Sequence, residues 1–200
     1  MAEIMLIEPR LLERVHVRIE PVDQMHRDEM RAALDCDPDN WVIQSVCAMG
    51  EHFDGFWKMM VATPGRLAFA VRDRASGALA GTSSYIGIDA EHRTLEVGYT
   101  WFRPEFRGTA VNPEAKLLML GHAFAAGAER VQFSVDARNP VSQAAVLKLG
   151  GVKEGVIRRH RITWTGHHRD TALFSIISDE WPRVKAGLEA RLAAFEAQSG

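Results

Sequence analysis

The stretch Trp101–Lys116, WFRPEFRGTAVNPEAK, decides how this 200-residue chain is read. An apolar strand ends, a short basic loop follows, and a helix begins at Asn112-Pro113-Glu114. Asparagine caps helices well, proline suits the first turn, and glutamate complements the positive end of the dipole. The first turn of a helix also leaves backbone N–H groups unpaired. Arg103 and Arg107 add two cations beside them, and Gly108 lets the backbone come close to a ligand. Such a turn is a ready site for phosphate or pyrophosphate. An ordinary strand–helix turn with solvated arginines has the same residues, so spacing alone leaves both readings open. The loop has no Gly-Lys-Ser/Thr ending and no Gly-x-Gly-x-x-Gly, which argues against a P-loop enzyme and a dinucleotide site.

Downstream, Leu117, Leu120, Gly121 and Phe124 share one helical face, and Gly127 ends the helix. Arg130–Val135 is expected as a strand. Asn139-Pro140 opens another helix, with Val141, Ala145 and Leu149 on one side, and Gly150-Gly151 stops it. Val152–Trp164 and Arg169–Ile177 are extended runs around a turn, and Asp179–Ala197 is a terminal helix on Trp181, Val184, Leu188 and Leu192. Upstream, Thr94–Phe102 is the strand that feeds the loop. Leu67–Arg72 and Leu79–Ile88 form a hairpin before it. Val15–Pro21 alternates as a strand with Val15, Val17 and Ile19 on one side. Asp23–Leu34 is read as a helix anchored by Met25, Met30 and Leu34, and Val42–Met60 as one around Phe53, Phe56 and Trp57. Antiparallel early strands and a central strand–helix–strand unit give a mixed α+β class, one mostly antiparallel sheet flanked by helices. One domain is expected, with its core over about 15–178 and a C-terminal helix over 179–197.

The bulk numbers fit a globular protein: 46% hydrophobic residues, 25% charged, and a net charge of −2. That charge supplies no field to gather nucleic acid or anionic membrane. Cys36 and Cys47 have no metal-ligand spacing, and the N-terminal run lacks a signal-peptide pattern, so a reduced, cytoplasmic protein without a membrane span is expected.

Read together, these motifs resemble the GNAT superfamily of N-acetyltransferases, and within it the RimJ/RimL-like branch. Arg107-Gly108-Thr109-Ala110-Val111-Asn112 stands where the family has Gln/Arg-x-x-Gly-x-Gly/Ala, and Asn112-Pro113-Glu114-Ala115-Lys116 is similar to the branch's continuation. Leu95-Glu96-Val97-Gly98-Tyr99 resembles the strand before the loop. Asp136-Ala137-Arg138-Asn139-Pro140-Val141-Ser142 and Leu149-Gly150 resemble the second coenzyme motif. The likeness runs over roughly Val15 to Leu192 and is strongest from Glu96 onward.

The resemblance implies acetyl-CoA as cosubstrate, bound by the 107–112 run with help from Phe102, Arg103 and Asn139. It implies direct attack of an amine on the thioester, with the acyl group near Tyr99–Phe102 and backbone N–H groups of that strand holding the oxyanion. Glu96 is the candidate base, acting through water; an ion-paired strand glutamate is the plainer reading. Val146 takes the place where many relatives have a tyrosine acid, which leaves Ser142 as a donor to the departing thiolate, or as a serine serving the helix start. Asn139 caps the helix, contacts the pantetheine arm, or does both. Ala110 departs from the family glycine, and its methyl would crowd a pyrophosphate or forbid a positive φ.

Arg158-Arg159-His160-Arg161 is read as a solvated strand edge, with attraction of an acidic substrate or of the coenzyme's 3′-phosphate as the other reading. His167 and His168 have no supporting ligands for a metal. Cys36, Cys47 and Ser175 lack a base partner for acyl-enzyme chemistry. Trp41, Phe53, Phe56 and Trp57 are core or acceptor pocket. The expected acceptor is a protein or peptide N-terminus, with a small amine, or a non-catalytic acyl-CoA sensor, as alternatives. A homodimer through the late strands is implied by the branch.

Overall fold

Hydrophobic alternation and helix punctuation build fourteen named elements in a computed structural model that describes residues 4–199. In chain order they are β1 (Leu12–Glu13), β2 (Val17–Pro21), α1 (Arg27–Leu34), α2 (Pro38–Ile43), α3 (Phe53–Ala62), β3 (Leu67–Asp73) and β4 (Leu79–Asp89). The rest are β5 (Thr94–Phe102), α4 (Val111–Ala125), β6 (Arg130–Asp136), α5 (Pro140–Leu149), β7 (Val152–Ile162), β8 (His168–Ile177) and α6 (Trp181–Ser199). All strands join one sheet in the order β1-β2-β3-β4-β5-β6-β8-β7. Every neighbouring pair is antiparallel except β5 and β6, which run parallel across the α4 crossover. This is the mixed, mostly antiparallel α+β sheet with a terminal helix that the sequence predicts.

Two cores cover the two faces. On one, α4 and α6 lie over Val17, Ile19, Phe69, Val97 and Phe133. Val184, Leu188 and Leu192 of α6 are buried there, each contributing about 1.5–3 kcal/mol. Phe124 stacks on Trp181 at 5.3 Å between ring centroids. On the other face, α1, α2 and α3 close over Ala68, Ala70, Leu79 and Trp101 with Met30, Leu34 and Phe56. The first turn of α4 is tied to β2 by Glu114, whose Oε2 accepts the His16 and Val17 N–H groups at 2.5 and 2.7 Å.

Several local expectations are corrected. The 42–60 segment is not one helix: the chain is extended at Gln44, and α3 begins only at Phe53, after a short turn at Gly50–His52. Trp41 Nε1 donates to the Leu34 and Cys36 carbonyls and so pulls α2 back onto the end of α1. Asp23 starts a 3₁₀ turn ahead of α1 rather than the helix itself, and Met25 is exposed. Val15 is exposed because β2 begins at Val17. On α5, Val141 and Ala145 face solvent, and Val146 with Leu149 reaches the core. β1, two residues long, has too little sequence to show any period.

Candidate functional site

The sheet opens in its middle. β5 pairs with β6 at only three positions, Thr94↔Arg130, Leu95↔Val131 and Glu96↔Gln132. From Val97 onward the β5 edge facing β6 has no partner in the ladder. On its other side β5 carries a bulge: Ser84 pairs with Gly98 and Thr82 with Trp101, so Tyr99 and Thr100 together oppose Ser83. Tyr99 takes φ +48, a left-handed conformation that costs roughly 1–2 kcal/mol in a non-glycine residue. Neighbours hold it there. Thr82 Oγ1 donates to the Tyr99 carbonyl at 3.1 Å, the Arg66 guanidinium lies 4.1 Å from its ring centroid, and the Ser83 and Thr100 hydroxyls bond at 2.7 Å.

A cleft with about 70 Å³ of room for solvent lies against this opening. Its floor holds Glu96, Tyr99, Ser134 and Arg169, and Arg161 stands at its side. Trp41, Phe56 and Trp101 form an aromatic wall, with Trp41 and Trp101 stacked at 5.5 Å. Glu96 therefore sits where the two strands part. Its Oε2 accepts from Ser134 Oγ at 2.8 Å and Gln132 Nε2 at 3.3 Å, so it is a hydrogen-bonded carboxylate and, among the described residues, not half of an ion pair. Of the four aromatics named from sequence, Trp41 and Phe56 belong to both core and cleft, whereas Phe53 and Trp57 belong to the core.

The 103–112 turn lies at the end of β5. Gly108 has φ +77, with nothing within 4 Å of where a Cβ would stand. The N–H groups of Gly108, Thr109 and Ala110 have no hydrogen-bond acceptor among the described residues. Thr109 folds back, its hydroxyl donating to the Phe106 carbonyl at 2.8 Å. Ala110 adopts a right-handed helical conformation, φ −67, and its methyl is buried in the core, so neither feared effect of the missing glycine arises. Val111 begins α4 and is buried; Asn112 is the second helical residue and not the cap, with its Oδ1 buried and unpartnered. Phe102 is buried under α4, and its carbonyl accepts from Arg107 Nε at 2.9 Å. The two arginines are not free cations: Arg103 pairs with Glu105 at 2.6 Å, and Arg107 pairs with Asp37. The open glycine and the three unpaired amides at the start of α4 supply donors that fit an extended diphosphate.

Asn139 caps α5, its Oδ1 accepting from Ser142 N–H at 2.9 Å. Ser142 lies on that first turn, outside the residues lining the cleft. Two residues escaped the sequence reading. Lys116, on α4, donates from Nζ to Thr100 Oγ1 at 2.7 Å and lies 6.0 Å from the Phe133 ring, between the parted strands. Burial pushes its pKa down to about 7. Arg169 of β8 is 7% exposed. The signal for it was parity: it is spaced by two from Thr171, on the buried side of its strand. Arg161 reaches the cleft because β7 slips register between Ile157 and Arg161, with Arg159 at φ +48, so the basic run is only partly the solvated edge expected. His167 and His168 lie at the β7–β8 turn; among the described residues no group of three His, Cys, Asp or Glu side chains is arranged to hold a metal.

Comparison with known proteins bears on this geometry. The sequence model of the acetyltransferase (GNAT) domain matches residues 16–152. An uncharacterized N-acetyltransferase of Bacillus subtilis (strain 168), YoaA, is 30% identical over 112 residues, 56% of this chain. The match spans 62% of that relative's length. A crystal structure from T. thermophilus, named as an acetyltransferase, superposes with a TM-score of 0.85 at 38% identity, covering 94% of this chain and all (100%) of the other. RimJ of Mycobacterium smegmatis, solved in complex with CoA-disulfide, gives a TM-score of 0.75 at 20% identity over 92% of this chain and 93% of its own. At that identity the likeness shows the fold alone, so the RimJ/RimL branch is not established by it. No helix among the described residues is long and apolar enough to cross a membrane.

Proposed function

The chain belongs to the acetyltransferase (GNAT) domain family, and on that premise we propose that it transfers an acetyl group from acetyl-CoA to a primary amine by direct attack in a ternary complex. The observation that carries this reading is the juxtaposition of Glu96 with the unpartnered edge of β5, at whose far end the amides of Gly108, Thr109 and Ala110 are free.

The three amides and the positive end of α4 would take the two linked phosphates. Val111 and Phe102 back them from the core. The unsatisfied Asn112 Oδ1 is a ready acceptor for a donor on the arm, and Asn139 bounds the far side of the gap. Arg103 and Arg107 reach the phosphates only by loosening their pairs with Glu105 and Asp37. Acetyl-CoA supplies the thioester. The amine nitrogen bonds to its carbonyl carbon, the carbon–sulfur bond breaks with its electron pair on sulfur, and the amine's protons leave to Glu96 and to the thiolate. Glu96, oriented by Ser134 and Gln132, takes its proton through water. N–H groups of the free β5 edge meet the developing oxyanion. Ser142 is the hydroxyl available to relay the second of those protons to the thiolate, a helpful and not obligatory step.

For the acceptor, the branch resemblance supports a protein or peptide N-terminus. Arg169, buried in the cleft, supports a second reading, a small amine carrying its own anion. We place the chain in the cytoplasm as a single acetyltransferase domain, core 15–178 with a terminal helix over 179–197, pairing with a second copy through the late strands. Its two cysteines are unpaired and its net charge of −2 offers nothing to nucleic acid.

The test is Glu96→Gln assayed by thiol release. A fall in kcat of about 100-fold with acetyl-CoA affinity retained supports the base. Unchanged kcat removes Glu96 from the mechanism, and a wild-type chain that gives no calorimetric signal with acetyl-CoA removes the whole reading.

A further inference from the structure

Arg169 is a buried cation without a fixed anion. Its Nη1 donates to Ser45 Oγ and its Nη2 to the Ser134 carbonyl at 2.9 Å, both neutral acceptors, and its Nε has no partner. Among the described residues it forms no ion pair, and neither does Arg161, the second cation on the cleft. The carboxylates whose charge bears on Arg169 are committed elsewhere. Asp136 is gripped by Arg138 through two bonds at 3.1 and 2.9 Å. Glu96 is held by Ser134 and Gln132. Burying a guanidinium is costly unless an anion answers it, and burial here disfavours its charge. A structural arginine would have been given one of those carboxylates. This one is turned into the same cleft as Glu96, between an aromatic wall and the point where the strands part.

Resting on the transferase reading above, we infer that the cleft is built for an amine that carries a carboxylate beside it, a free α-amino acid. Arg169 and Arg161 hold the carboxylate, Glu96 faces the amine, and Trp41, Phe56 and Trp101 receive the side chain. A peptide N-terminus has an amide where this acceptor has its carboxylate, and would leave Arg169 buried and unanswered. The transfer is the one already written: nitrogen bonds to the acyl carbon, carbon parts from sulfur, and the ammonium's two protons go to Glu96 through water and to the thiolate. The product is an N-acetyl amino acid.

The test uses the full chain with acetyl-CoA and matched pairs: methionine against methioninamide, phenylalanine against phenylalaninamide, and a tetrapeptide opening with each residue. A kcat/KM for the acid at least tenfold above its amide and its peptide is expected. Arg169→Gln should bring the acid-to-amide ratio to within about twofold of one, and Arg161→Gln, on the exposed β7, should lower it severalfold. If circular dichroism shows Arg169→Gln unfolded, the ratio in Arg161→Gln decides. Equal use of acid and amide, a preference for the tetrapeptide, or an Arg161→Gln ratio equal to wild type overturns the subsite and leaves the transferase standing. In parallel, the acids and amides are titrated calorimetrically into the chain saturated with coenzyme A. Saturable binding of acids alone, without turnover, would keep the subsite and overturn the transferase; no binding and no turnover of any acid overturns the subsite.

Discussion

Lys116 Nζ meets Thr100 Oγ1 at 2.7 Å from the opposite layer of the fold, and no carboxylate pairs with it among the described residues. Burial pushes its pKa down to about 7. The unfolded chain keeps that proton to about pH 10.4, so between about pH 7 and 10 the unfolded state binds more protons than the folded one. Stability should therefore rise through this window, by on the order of 2 kcal/mol once the partial accessibility of the side chain is allowed for. Lys116→Met should abolish the rise and raise stability at pH 6, as read from urea midpoints across the range. A Met variant that is less stable at pH 6 would contradict this account.

Glu114 spans nearly one hundred residues of sequence to fasten α4 to β2. It is 1% exposed and accepts two backbone N–H groups. Glu114→Ala leaves both orphaned in the core, and a loss of about 3 kcal/mol is expected. Glu114→Gln keeps an acceptor oxygen and should cost less than half of that. Denaturant titration of the two variants gives the comparison.

Gly108 and Gly81 separate function from folding. At Gly108 a methyl meets no atom within 4 Å, but φ is +77, so Gly108→Ala should cost about 1 kcal/mol of stability. It should cost more in coenzyme affinity, at least tenfold by calorimetry, because the methyl enters the proposed phosphate site. At Gly81 a Cβ would stand 2.0 Å from the Trp101 carbonyl oxygen, and Gly81→Ala should not fold.

β7 closes the sheet and has no neighbour on its outer side. All eleven of its residues are exposed, Val156 at 47% and Ile162 at 66%. A long unpaired edge with Val156 and Ile162 exposed on it offers another strand a place to pair, beside its basic residues. Sedimentation at micromolar concentration should show a dimer, and Val156→Lys should raise its dissociation constant at least tenfold with the circular dichroism spectrum unchanged. A wild-type monomer at that concentration would end the proposal.

What was legible in the sequence was local. Cap residues and glycines marked Asn139 and Gly127, and the 101–116 run showed strand, turn and helix because each needs particular residues at particular steps. The missed features depend on distant contacts. Asn112 has the right chemistry for a cap, but Ala110 holds the cap position two residues earlier, since Glu114 is drawn to β2 and Ala110 packs into the core. The 42–60 segment has a helical period, yet Trp41 is claimed by the end of α1 and Arg169 reaches Ser45, which holds the middle extended. The burial of Arg169 and the depressed pKa of Lys116 follow from the parting of β5 and β6. Nothing in either strand's own sequence announces that parting.

Glu96 and Trp101 are five residues apart, an odd interval that in a regular strand sends two side chains to opposite faces. They share one cleft because the bulge at Tyr99 and Thr100 contributes a supernumerary residue between them. Their association is thus a matter of counting as much as of identity. Substituting the side chains between these positions keeps the two on one face, but a lost or gained residue there would divorce the acid from the indole. Here the length of that short interval matters to the chemistry as much as the letters within it.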